Sequence, residues 1–113
     1  MRALLAGLLA ASIAGCGTGA TAPVQLLTYD TSCHPAPAVG LLVTDPKYGT
    51  ALLGRPVAWP SGFSGRDAGS EVEVLDGDGK VVAVTGKTYE FAGTDDIVGG
   101  VRAFVACAYF VPQ

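Results

Sequence analysis

Histidine is almost missing from this chain. Its 113 residues hold one, His34, together with one tryptophan and one methionine. A serine or cysteine hydrolase needs a base within hydrogen-bond reach of its nucleophile. His34 follows Cys33 directly, and neighbouring residues of an extended chain point to opposite sides, which works against a Cys33–His34 dyad. Ser64 lies in Gly62-Phe63-Ser64-Gly65, which lacks the closing glycine of a nucleophile elbow. Asp76-Gly77-Asp78-Gly79 opens like a calcium loop, but Lys80 and Lys87 stand where the third ligand and the closing glutamate belong. Gly77 and Gly79 lack the third glycine of a dinucleotide loop and lie in a hairpin pattern. No catalytic residues, metal site or cofactor are expected. An enzyme would have to draw on His34, Asp95 and Asp96, whose meeting is not visible in the spacing.

Positive charge is also scarce. Seven Lys and Arg face ten Asp and Glu, for a net charge of −3. Phosphate backbones are held by basic patches, so nucleic acid is excluded as an expected partner. Helical periodicity is missing after residue 16, where no ten-residue stretch carries an apolar stripe at helical spacing.

The front end is informative. Met1-Arg2 starts it with a positive charge, and residues 3–14 are uncharged and largely apolar, which is the layout of a secretory signal. The run is too short to remain as a span, which needs roughly 20 residues. Its end, Ile13-Ala14-Gly15-Cys16, resembles the lipobox of bacterial lipoproteins. That resemblance implies a diacylglycerol on the Cys16 thiol and cleavage just before it. It also implies a protein held at a membrane by lipid, on the extracytoplasmic face. Gly17, rather than aspartate, follows the cysteine. In a two-membrane host this pattern permits transfer to the outer membrane, and in a one-membrane host the protein stays on the outer face of the cell membrane.

Cleavage there leaves 98 residues, enough for one small domain, with six basic against ten acidic side chains. Cys33 and Cys107 remain as the only thiols beside the lipidated one, too few with His34 for a structural zinc site. In an exported protein they sit in an oxidising compartment, which favours a disulfide; two free thiols, or Cys107 as a plain core residue, are the alternatives. The expected organisation is a signal peptide over residues 1–15, the lipidated cysteine and a flexible tether over residues 16–38, and a small β domain over residues 39–113; within the tether, Val24-Gln25-Leu26-Leu27 reads either as a short strand or as a segment laid loosely on the domain.

Sixteen glycines and seven prolines punctuate the chain as a whole. Strands are expected at residues 39–44, 50–53, 56–59, 71–75, 80–85, 88–92 and 101–111. Residues 60–69 and 93–100 read as loops. Glu71-Val72-Glu73-Val74 alternates with the period of a half-buried strand, and Asp76-Gly77-Asp78-Gly79 marks a hairpin turn. The last segment is apolar on both faces apart from Arg102, as in a central strand. The fold class is therefore all-β. The expected form is a small five- to six-stranded barrel of the oligonucleotide/oligosaccharide-binding (OB) type, behind a signal helix and tether, with a small β-sandwich as the alternative.

Pro56-Val57-Ala58-Trp59-Pro60-Ser61-Gly62-Phe63, then the valine-rich hairpin and a late cysteine, resemble a group of small bacterial lipoproteins with a Trp-Pro-x-Gly-Phe/Tyr segment. The resemblance spans residues 39–111 and implies a compact β domain without a defined activity. Trp59, Phe63 and Arg66 form the candidate binding patch, since aromatics with an arginine suit a glycan or an envelope protein. The competing role for Trp59 is a core plug.

Overall fold

Period-two runs and glycine-bounded turns organise the chain as strands throughout. The computed structural model describes residues 22–112. Ten strands follow one another: β1 (Pro23–Val24), β2 (Leu27–Tyr29), β3 (Pro37–Asp45), β4 (Gly49–Leu52), β5 (Arg55–Pro60), β6 (Ser64–Ala68), β7 (Glu71–Leu75), β8 (Val81–Val84), β9 (Thr88–Val98) and β10 (Val101–Pro112). There is no helix among the described residues.

Five strands close into a mixed barrel in the order β3-β4-β5-β10-β9, with β9 returning to β3. Closure depends on two long strands that change partners. β3 pairs with β9 through Pro37–Leu41 and with β4 through Leu42–Asp45. β10 pairs antiparallel with β9 and parallel with β5, where Phe104 faces Val57 and Val105 faces Ala58. β2 adds a sixth strand, parallel to β5. This is the closed, small OB-like barrel expected from the sequence.

The interior is apolar and aromatic. Leu42, Leu52, Val57, Trp59, Phe91 and Phe104 are all buried in one cluster. Alternation then explains why β10 is apolar on both faces. Phe104 and Ala106 enter that cluster, while Ala103 and Val105 join Ala58 in a second one outside the barrel wall. Leu27, Tyr29 and Cys33 cover this outer cluster. Strand β10 is thus sandwiched between two apolar layers.

The segment between β5 and β9 makes a second sheet, ordered β1-β6-β7-β8. Its Val74 and Ala83 belong to the barrel's own core cluster, so the sheet packs directly on the barrel. The β7–β8 turn is built by Asp76. Its Oδ1 accepts the Asp78 and Lys80 N–H groups at 2.9 and 3.0 Å, and its carbonyl accepts the Gly79 N–H at 3.0 Å. Gly79 alone in this turn takes a positive φ, 82°. The hairpin expected from Asp-Gly is present, with the left-handed residue at the second glycine.

Three boundaries differ from the sequence expectation. Residues 60–69, expected as a loop, contain β6; its Ser-Gly-Arg-Asp-Ala carries no apolar period because Gly65 is buried without a side chain of its own. Of residues 93–100, also expected as a loop, 93–98 continue β9, whose Asp95, Asp96 and Ile97 face β10 in register, and Gly99 and Gly100 make the turn. The ordered domain begins well before residue 39, since β1 and β2 both lie in the stretch expected as tether. The expected signal segment, Cys16 and the first part of the tether lie outside the described residues.

Residues 22–29 form a strap. The Asp67 N–H donates to the Ala22 carbonyl at 2.8 Å, β1 pairs with β6, and β2 pairs with β5. Between the two short strands, Leu26 is buried in the main core. Two glycines make room for it. A Cβ on Gly49 would lie 2.7 Å from Leu26 Cδ2, and one on Gly65 would lie 3.0 Å from it. Gly49 is also held at φ 88°, where a side chain is strained.

Candidate functional site

Trp59 sits on the inward side of β5 and is fully buried. Its indole N–H donates to Thr50 Oγ1 at 2.8 Å across the neighbouring strand, which satisfies a polar group that burial would otherwise leave unpaired. Phe63 stacks on the indole with centroids 6.3 Å apart, and Phe91 and Phe110 meet it edge-on at 6.0 and 5.4 Å. The tryptophan is therefore the plug of the barrel.

Arg66 lies on β6, facing Glu73 of β7 in register. Its Nε and Nη2 approach Glu73 Oε1 at 2.7 and 2.6 Å. The guanidinium is committed to a cross-strand ion pair at a half-exposed position. Trp59, Phe63 and Arg66 consequently do not form one exposed patch: the first is buried, the second is half-buried against it, and the third is paired. Beside Phe63 there is a cleft of about 420 Å³, shared with Val24, Leu26, Thr28 and Ser64. A second cleft, of about 330 Å³, lies on the other side of the strap between Tyr29, Asp30 and Ile97.

Cys33 and Cys107 are joined in a disulfide with Cα atoms 5.7 Å apart. Cys107 lies where the β9–β10 register shifts, between Ala106 and Phe110, so the bond pins the 30–36 segment to an irregular part of the last strand. Next to it, the Tyr29 hydroxyl donates to the Ala106 carbonyl at 2.6 Å. Burial pushes the Tyr29 phenol above its ordinary pKa, because the anion would be poorly solvated there.

The residues considered for catalysis are spread apart in role. His34 is exposed, and the adjacent Cys33 sulfur is used by the disulfide, so that pair offers no thiolate nucleophile. Asp95 Oδ2 accepts from Arg55 Nη1 at 2.5 Å. Asp96 Oδ1 accepts the N–H of Ile97 at 2.7 Å. Among the described residues, no group of three or more His, Cys, Asp or Glu side chains is placed to hold a metal ion. Among the same residues, no helix is long and apolar enough to cross a membrane.

Several structurally decisive residues carry no signal in the sequence. Thr50 is buried as the indole's acceptor, and Thr85 is buried as the acceptor of the Val72 N–H at 2.8 Å and a donor to Glu71. Leu26, Gly49 and Gly65 meet only through long-range packing. The chain matches no family model, no curated protein and no solved structure.

Proposed function

We propose that this chain is a lipid-anchored protein of the cell envelope, held on the extracytoplasmic side of a membrane by acyl chains on Cys16. In this reading it acts without catalysis, as a binding or structural domain. The observation that carries the reading is the Cys33–Cys107 disulfide. Such bonds persist in oxidising compartments and are rare in cytosolic proteins. The bond therefore agrees with a chain that begins with an export signal ending in Ile13-Ala14-Gly15-Cys16.

Anchoring follows from simple energetics. One acyl chain binds a membrane only marginally, while two or three hold it stably at about 0.8 kcal/mol per buried methylene. The barrel interior is filled by Trp59 and its phenylalanine neighbours, so a partner meets the outer surface. An envelope protein or a glycan is the expected class, with the clefts beside Phe63 and Tyr29 as the contact regions. Fold alone does not name the partner.

The test is the intact mass of the protein extracted from membranes, before and after reduction and thiol alkylation. A chain that starts at Cys16, carries acyl groups and gains two alkylations only on reduction supports the reading. An unmodified chain that starts at Met1 overturns it.

A further inference from the structure

The outer face of β3 carries an uninterrupted row of exposed aliphatic side chains. Val39, Leu41 and Val43 are 54%, 50% and 40% exposed, while Leu42 between them is buried in the core. Their cross-strand partners are Glu90, Thr88 and Ala51. Lys47 lies just past the strand, and Lys87, whose carbonyl accepts the Leu42 N–H at 3.0 Å, lies at its flank. Tyr48 adjoins Lys47, with the ammonium 5.4 Å from the ring centroid. Aliphatic side chains bordered by tyrosine and lysine suit the boundary between acyl chains and headgroups.

The position of the strap says what covers this row. Ala22 is held to β6, and Val24 and Leu26 pack on Gly49, which pairs with Asp45 at the end of β3. Only five residues, or six Cα steps, lie between Cys16 and Ala22. Fully extended, they span about 20 Å. At roughly 3.4 Å per residue, Val43, Leu41 and Val39 lie about 7, 14 and 20 Å along β3 from Asp45. A barrel tied to a bilayer on so short a leash is kept with this end of β3 near the surface.

We propose that the Val39–Leu41–Val43 face of β3 rests on the lipid surface to which Cys16 is anchored, with Lys47 and Lys87 toward phospholipid phosphates. The docking rests on the lipid-anchor reading above. It fixes the orientation of the barrel on the membrane.

The test uses the full chain, isolated with its native N-terminus and placed in vesicles of phosphatidylethanolamine and phosphatidylglycerol. A photoreactive residue is introduced as Leu41→p-benzoylphenylalanine, and in a second sample as Asp78→p-benzoylphenylalanine at the hairpin turn. After irradiation, position 41 is expected to give lipid adducts several-fold above position 78. Equal yields, or a cross-link from position 41 to a second copy of the chain, overturn the docking. Mass analysis of the Cys16 peptide from the same samples separates the two ideas. An acylated Cys16 without adducts at position 41 defeats the docking alone, and an unacylated Cys16 defeats the anchor and the docking together. Blue-shifted emission from the buried Trp59 checks that each variant is folded.

Discussion

Leu53 occupies φ 52°, a left-handed conformation that a branched side chain rarely adopts. With Gly54 at φ 80°, it makes the two-residue turn between β4 and β5, where both central positions need positive φ. Leu53 is 64% exposed, so little packing offsets the strain. Leu53→Asn is expected to raise stability by about 0.5–1 kcal/mol, read from the urea midpoint. Tyr29 gives the opposite kind of handle. Its folded pKa lies above the unfolded value, so its contribution is complete below about pH 10 and is lost as pH rises through the folded pKa. Urea midpoints of the wild type should therefore fall on alkaline titration more steeply than those of Tyr29→Phe. At pH 7 that variant should lose about 1 kcal/mol, the worth of its hydrogen bond to the Ala106 carbonyl.

Among the elements, the strap is the least expected. Leu26→Ala should cost about 2–5 kcal/mol, because the vacated space is walled by the backbones of Gly49 and Gly65, which have no side chains of their own to fill it. Denaturant unfolding checks this; a cost below 1 kcal/mol would mean that the strap is only loosely laid on the barrel. The sequence offers Val24-Gln25-Leu26-Leu27 as a short strand or a loosely laid segment, but not its place, because the partners are distant: β1 meets residues 65–66 and β2 meets residues 58–60. Elements whose partner is next in sequence were legible. Glu71-Val72-Glu73-Val74, the Asp-Gly turn and the return strand appear as β7 and β8 because alternation and turn chemistry are local. β6 and the second half of β9 were not legible, since Arg66 and Asp67 are polar residues held between the strap and β7, and Asp95 and Asp96 are polar residues held in register by β10. The same limit applies to the candidate patch. Trp59, Phe63 and Arg66 are close in sequence, but the indole's hydrogen bond to Thr50 and the Arg66–Glu73 pair direct the three side chains to different duties.

At the scale of the molecule, two apolar layers share β10, and the disulfide ties the outer layer to that strand across 74 positions. A cross-link of this span is worth about 4 kcal/mol in the chain-entropy account. That is a large share of the roughly 5–15 kcal/mol by which domains are stable. Reduction should lower the thermal midpoint strongly while leaving the far-ultraviolet β signature at low temperature; an unchanged midpoint would show that the bond adds no restraint. The parallel contact between β5 and β10 has a consequence for biosynthesis. A chain made from its N-terminus presents β3, β4 and β5 long before β10 exists, so the barrel stays open on one side until β10 arrives. Until then, Val57 lacks Phe104 opposite it and Cys33 lacks its partner. Closure is thereby a late latch: β10 seals a ring whose other walls are already made.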